Sequence, residues 1–107
     1  MDRTIPVGEI VATRDLEFIR RDGRRELARV SIGLPTCDNS EQQDWCCPYL
    51  IKAESFERQR YAVGVDSMQA LILCAQIISA ELSALAHGND GTFTYLGKSN
   101  LGFPVQK

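Results

Sequence analysis

Histidine is nearly absent from this sequence, and its few cysteines are spaced badly for binding a metal. The 107 residues include one histidine, His87, and four cysteines, Cys37, Cys46, Cys47 and Cys74. Zinc sites take ligand pairs at close spacing such as Cys-x-x-Cys, because one turn of chain must aim both ligands at one ion. No such pair occurs here, and a thiol nucleophile would have only His87 as its base. We therefore expect no metal, no cofactor and no catalytic residue, and enzymatic activity is the less favoured interpretation.

Motifs for binding phosphate and for serine nucleophiles are missing as well. A P-loop needs four residues between its first glycine and Gly-Lys-Ser, and then a helix that receives the phosphate. Here five residues separate Gly91 from Gly97-Lys98-Ser99, and the following Leu101-Gly102-Phe103-Pro104 cannot continue a helix. The chain also lacks a Gly-x-Ser-x-Gly elbow. The sequence therefore offers no recognised motif for nucleotide binding or acyl transfer.

An excess of positive charge is missing too, since 12 basic and 14 acidic side chains give a net charge of −2. Domains that bind nucleic acid usually have a basic balance, so nucleic acid is not an expected partner. The charge is uneven, because the segment from Arg14 to Arg29 contains six arginines and four acids. Interspersed acids are typical of a solvated strand surface whose charges pair with each other, and an anion site is the alternative.

The sequence also lacks long apolar segments. The first six residues contain no apolar segment of a secretory signal. The longest apolar stretch, Ala70 to Ile78, is interrupted by Gln76 and is far short of the ~20 residues that a membrane span needs. We therefore expect a cytoplasmic protein with reduced cysteines, and no membrane among its partners.

Two segments with alternating apolar residues form a predicted β-hairpin, from Gly8 to Arg20 and from Arg24 to Leu34. A two-residue loop would place the apolar face of one strand beside the polar face of the other. A three-residue loop, Arg21-Asp22-Gly23, instead pairs positions whose numbers sum to 44 and keeps the apolar faces together. Leu16 then lies opposite Ala28.

Arg14 falls on that same apolar face, opposite Val30. It is therefore either at an edge or a buried charge that needs a partner.

Further strands are predicted at 45–51, 58–63 and 92–96. The first of these has an apolar odd face, and Pro48 confines it to an edge, a bulge or a short pairing. The apolar tail that begins at Leu101 is expected to dock on the rest of the domain.

The clearest prediction is a helix with Asp66 as N-cap, Gln69 reaching back in a capping box and Gly88 as its stop. Its predicted buried stripe consists of Met68, Leu71, Cys74, Ala75, Ile78, Leu82 and Leu85. Further apolar residues make the apolar side of this helix wider than one sheet face usually covers. The helix is therefore either central in the domain or packed against a second subunit as well. The sum is one α+β domain over residues 1–107, with an antiparallel sheet of about five strands and one long helix across it, in the order ββββαβ.

The candidates for a ligand site or an interface are side chains that could line a cleft or a subunit contact. They are Trp45, Tyr49, Gln69, Phe103 and Arg14.

Three segments carry a resemblance to a known family: Asp44-Trp45-Cys46-Cys47-Pro48-Tyr49, residues 64–71 at the helix start, and Leu101-Gly102-Phe103-Pro104. Together they resemble small bacterial proteins described as a domain of unknown function, and the likeness extends from Ile10 to Val105. That family has no assigned activity, so the resemblance implies a single-domain bacterial protein and adds no mechanism. On physical grounds both the strand segment and the helix start are architectural, as a strand anchor and a helix cap.

Three function hypotheses remain. The favoured one is a non-enzymatic interaction module, a homodimer that uses the wide apolar arc of the helix or a sheet edge as its contact surface. The second is a small-ligand-binding protein or minor enzyme with a pocket between sheet and helix near Trp45, Gln69 and Phe103. The third is an immunity or antitoxin-type protein. The expected partner is a second copy or another protein, and a small ligand is the alternative.

Overall fold

A computed structural model describes residues 7–37 and 44–104. These residues contain six β-strands and one α-helix. The strands are β1 (Ile10–Arg20), β2 (Arg25–Gly33), β3 (Thr36–Cys37), β4 (Trp45–Ala53), β5 (Glu57–Gly64) and β6 (Gly91–Thr94), and the helix is α1 (Ser67–Gly88). The predicted α+β class and the order ββββαβ are confirmed. The structure adds the two-residue strand β3 between the predicted strands 24–34 and 45–51.

The strands form one curled antiparallel sheet with α1 packed against it. β1 lies between β2 and β6, and β4 lies between β2 and β5. β3 pairs with the first two residues of β4. The sheet therefore joins the first strand of the described chain to the last one.

The register of the first hairpin is the predicted one. Leu16 lies opposite Ala28 and Arg14 lies opposite Val30, so the paired numbers sum to 44. A hydrogen bond of 2.7 Å from the backbone N–H of Arg20 to the carbonyl of Arg24 closes the loop. Gly23 has a φ of 92°, which a residue without Cβ adopts readily.

β4 pairs with other strands on both of its sides, so the prediction that Pro48 confines it to an edge of the sheet is wrong. The structure instead shows the short pairing that was predicted as one alternative. On its β2 side, β4 pairs with β3 through Trp45 and Cys46 and with β2 from Tyr49 onward. Pro48 lies in the interval between these two pairings. On the opposite side of β4, Pro48 pairs with Tyr61 of β5.

The start of α1 is fixed by hydrogen bonds and by close packing on β5. The Asp66 carboxylate accepts from the Gln69 backbone N–H at 2.7 Å, as predicted. The Gln69 side chain reaches back, but it accepts from the N–H of Val65 at 2.7 Å, one residue before the N-cap. A Cβ on Gly64 would lie 2.5 Å from the backbone N of Ala70, so glycine allows the strand end and the first helical turn to meet.

The buried stripe of α1 differs from the prediction at its N-terminal end. Its fully buried residues are Ala70, Cys74, Ile78, Leu82 and Leu85. Met68 and Leu71, which the prediction includes, are 69% and 40% exposed. The close contact of Ala70 with Gly64 sets the rotation of the first turns, and Met68 and Leu71 then point away from the sheet.

The core lies between α1 and the sheet face that α1 covers. β1, β2 and β4 contribute buried residues spaced two apart on that face, and β5 and β6 contribute Ala62 and Phe93. Phe18 is fully buried at its centre, and its ring centroid lies 5.1 Å from that of Phe56 and 4.9 Å from that of Phe93. These contacts place the β6 edge of the sheet next to the turn between β4 and β5.

Candidate functional site

A polar cluster joins α1 to the sheet. The Tyr49 hydroxyl on β4 donates to Glu81 Oε1 at 2.8 Å, and Arg58 Nη1 donates to Glu81 Oε2 at 3.1 Å. Burial, together with the hydrogen bond to Glu81, raises the pKa of Tyr49. The raised pKa favours the protonated phenol that donates to Glu81, and the cluster links the helix to the sheet.

Two thiols meet in the same interface. Cys47 on β4 and Cys74 on α1 are both fully buried, and Cys47 Sγ donates to the carbonyl of Gly33 at 3.7 Å. Contact with Cys47, together with burial, raises the pKa of the Cys74 thiol. Hydrogen bonding with Cys74 lowers the pKa of the Cys47 thiol, but reactive cysteines are also accessible, and both of these thiols are fully buried. Both residues are small members of the core, as the sequence predicts.

The predicted docking of the C-terminal segment is confirmed for residues 101–104, and Val105, the last residue of that prediction, lies outside the described residues. We call residues 99–104 the tail. Arg14 Nη1 donates to the carbonyl of Leu101 at 2.9 Å. The guanidinium carbon lies 4.5 Å from the ring centroid of Tyr95 and 5.0 Å from that of Phe103. These are cation–π distances. The charge that the sequence places on an apolar face therefore has two rings and one carbonyl as partners.

Two hollows flank the tail. The first has a volume of about 240 Å³, and we call it the Arg14 groove. Its lining includes Ala12, Arg14, Val30, Ile32, Ala75 and Phe103. The second has a volume of about 220 Å³ and lies between the tail and the C-terminal half of α1, at Ser79, Leu82 and Ser83. The tail thus covers one flank of α1 as far as the level of Ala75.

Four of the six arginines of the first hairpin are paired with its acids, in agreement with the predicted self-paired surface. Arg20, Arg24 and Arg25 line a polar hollow of about 360 Å³. Each makes an ion pair of 2.9–3.1 Å, with Glu26, Asp22 and Glu17 respectively. On the sheet face away from α1, Arg29 lies 2.6 Å from Asp15, and its hydrogen bond holds the pKa of that carboxyl below the usual value. An added anion would compete with all of these carboxylates.

Large apolar side chains are exposed at the start of α1. They are Val65, Met68, Leu71 and Ile72, and we call them the open helix face. Met68, Leu71 and Ile72 are three and four residues apart, so they share one side of the helix. Val65 and Met68 are 74% and 69% exposed, and Ile72 is 50% exposed. From Ser67 to Ala80 the helix contains no Asp, Glu, Lys or Arg.

By length and composition α1 is apolar enough to cross a membrane, although the core helices of soluble proteins meet the same criterion. Only 28% of the residues in its most apolar 18-residue window are buried. Its buried stripe packs on the sheet and completes the core. α1 is therefore a core helix that exposes more apolar surface than its packing on the sheet requires.

A sheet edge is the second contact surface that the sequence predicts. β6 pairs with β1 only over Glu17–Arg20. Within the described residues, the outer edge of β1 from Ile10 to Leu16 has no strand beside it. An open edge presents backbone groups to which another chain can add a strand.

The five predicted site residues do not meet at one place. Arg14 and Phe103 are in contact, and both line the Arg14 groove. Trp45 is the half-buried first residue of β4, Tyr49 is buried against Glu81, and Gln69 is engaged in the helix cap. The predicted grouping of Trp45 and Gln69 with Phe103 is therefore not present in the lining of this groove.

Two residues that make the contacts described above, Glu81 and Tyr95, were not predicted from the sequence. Glu81 is the first charged residue of α1 and lies beside the buried Leu82, so a lone acid next to an apolar stripe was the available signal. Tyr95 lies 81 positions from Arg14, and no local pattern connects them. Among the described residues, no group of three or more histidine, cysteine or acidic side chains is placed to hold a metal ion.

The family model for a domain of unknown function, DUF6968, matches residues 12–105. The chain belongs to this family. The resemblance drawn from its three sequence segments is thereby confirmed at the level of the family. No curated protein and no solved structure matches the chain. The DUF6968 match includes β2 to β6, nearly all of β1, and the tail with its contacts to Arg14, so the tail is part of the family domain.

Proposed function

We propose that this DUF6968 chain is a non-enzymatic interaction module that forms a homodimer through the open helix face. The observation that carries the proposal is the run from Ser67 to Ala80, which is without charge although only Ala70, Cys74 and Ile78 in it are fully buried. Exposed helical surfaces of monomeric proteins are normally charged or polar. An apolar side of this length is typical of a surface that another molecule covers.

A second copy fits this surface better than a different protein. In a two-fold dimer, a residue near the axis lies against its own copy, so any charge there would be repelled by an identical charge. The open helix face avoids that repulsion because it has no ionisable side chain.

The environment of the titratable groups supports binding over catalysis. Tyr49, Cys47 and Cys74 are buried in the interface between sheet and helix. A catalytic acid, base or nucleophile must reach a substrate. In this proposal the module is bacterial and cytoplasmic, as the sequence predicts.

Sedimentation equilibrium across low to high micromolar concentrations tests the proposal. We expect a species of twice the chain mass of 11.9 kDa. Ile72→Lys places a charge at the centre of the open helix face and should weaken the dimer at least about tenfold. Leu27→Lys is the matched control, since Leu27 is 61% exposed on β2 and lies outside this face.

A mass of 11.9 kDa at every concentration would contradict the dimer. A dimer that survives Ile72→Lys but is lost when Thr13→Pro disrupts the open edge of β1 would contradict the helix interface. Flotation of the wild type with phosphatidylcholine vesicles, lost in Ile72→Lys, would assign the surface to a membrane and overturn the proposal.

A further inference from the structure

The Arg14 groove is a separate site from the open helix face. It lies between the ends of β1 and β2, the middle of α1 and the tail, with a volume of about 240 Å³. Most of its lining is apolar, including Val30, Ile32 and Phe103. Cavities of this kind bind compact apolar groups when one polar contact fixes the orientation.

Arg14 differs from the other arginines of the sheet. Ion pairs with carboxylates within 4 Å occur at Arg20, Arg24, Arg25, Arg29, Arg58 and Arg60. None of the described carboxylates is ion-paired with Arg14. Its partners, the Leu101 carbonyl and the rings of Tyr95 and Phe103, are all neutral. The groove therefore contains a half-buried positive charge without a described counter-ion.

The same contacts hold the guanidinium in one orientation. The two rings restrict its position, and the Leu101 carbonyl accepts from Nη1 at 2.9 Å. A guanidinium has five N–H donors in a rigid fork, and the described contact with Leu101 uses one. That fork matches the two oxygens of a carboxylate. A donor set that is fixed in advance loses less entropy when it binds an anion.

We propose that the Arg14 groove binds a small carboxylic acid as its anion, with the carboxylate on Arg14 and a short apolar body against Val30, Ile32 and Ala75. The carboxylate supplies the missing counter-ion, and the apolar body fills the hollow. A strongly polar molecule would leave its other hydrogen-bonding groups unpaired against the apolar lining. The ligand class is therefore short aliphatic or aromatic acids.

The test is an NMR titration of the full chain with hexanoate and benzoate, followed through the methyl groups of Val30, Ile32 and Ala75. Hexan-1-ol and benzyl alcohol are neutral probes of similar shape. We expect saturable shifts with the acids and at least about tenfold weaker binding of the alcohols, because a charged hydrogen bond is lost. Added salt should weaken the binding of the acids only.

Two variants separate binding in the groove from its structural role. Arg14→Gln should weaken hexanoate at least about tenfold, although it also loosens the tail. Ala75→Leu fills the groove from the helix and leaves Arg14 and Leu101 in place, so it should abolish binding. Ala80→Leu is its matched control, because Ala80 is an exposed alanine of α1 outside the groove lining and should bind hexanoate as the wild type does.

Equal affinity for hexanoate and hexan-1-ol would overturn the proposal, since the charge would then contribute nothing. Unchanged binding in Ala75→Leu would place the ligand elsewhere and overturn it as well. An absence of saturable shifts with both acids would assign Arg14 to anchoring the tail alone.

Discussion

The N-terminal half of α1 contains more apolar residues than the C-terminal half, and the two halves have different surroundings. The C-terminal half is covered by the sheet on one side and by the tail on another, and Glu81 is anchored to Tyr49 and Arg58. In the N-terminal half the tail reaches only as far as Ala75, and Met68 and Ile72 remain exposed. Burial along this helix is therefore decided by where the following chain passes, and apolar content by itself does not predict it.

The largest expected effect contrasts a covered leucine with an exposed isoleucine of α1. Leu82→Ala should lower the free energy of unfolding by about 2–5 kcal/mol, because Leu82 is 1% exposed and the truncation leaves a cavity. Ile72→Ala should change it by no more than about 0.5 kcal/mol. Urea denaturation at low protein concentration measures both values and limits the contribution of self-association. Similar losses in the two variants would mean that the N-terminal half is as well packed as the C-terminal half.

The polar anchor of the C-terminal half has a smaller expected effect that depends on pH. Tyr49→Phe should cost about 1–2 kcal/mol at neutral pH, because Glu81 loses a hydrogen bond in a nearly closed site. The pKa of Tyr49 is raised above the usual value of about 10 by burial and by Glu81. The stabilisation is thus complete below about pH 10 and is lost as the pH rises further, because the unfolded state ionises first.

Urea denaturation at about pH 7 and about pH 11 should therefore show a smaller difference between wild type and Tyr49→Phe at the higher pH. A difference that stays constant would contradict the assignment of the raised pKa to this group.

The tail should contribute least. Phe103→Ala removes one of the two rings beside Arg14 and should cost about 1 kcal/mol. Hydrogen exchange at Leu101 and Gly102 should become faster, while that of β4 stays unchanged. Pro104→Ala alters an exposed tail residue and is the control. Unchanged exchange in Phe103→Ala would show that the Leu101 carbonyl alone holds the tail.

Local periodicity predicted those parts of the fold that local rules determine. The side-chain period of two and the odd loop length place Leu16 opposite Ala28, and the cap at Asp66 marks the start of α1. The two-residue β3 is too short to show a period, and the setting of Pro48 depends on where β2 ends. The exposure of Met68 and Leu71 depends on the contact between Gly64 and Ala70, which helical spacing does not contain.

The candidate site was predicted in part for the same reason. Arg14 was recognisable as a charge on an apolar face, and Phe103 as part of an apolar tail. Their contact spans 89 positions and arises from tertiary structure, as does the contact of Arg14 with Tyr95. The paired arginines of the hairpin were predictable, because their acids lie in the same two strands or in the loop between them.

The pairing of β1 with β6 has a consequence for the order in which the chain can assemble. Synthesis proceeds from the N-terminus, and about 70 residues lie between Arg20 and its partner Gly91. At a synthesis rate of roughly 5–20 residues per second, the outer edge of the first hairpin stays unpaired for several seconds before β6 is made. During that interval Phe18 lacks Phe93, and an unpaired edge next to an apolar face can join a neighbouring nascent chain. Residues 91–94 thus cover the outer edge of β1 at Glu17–Arg20 only after the other strands have been synthesised.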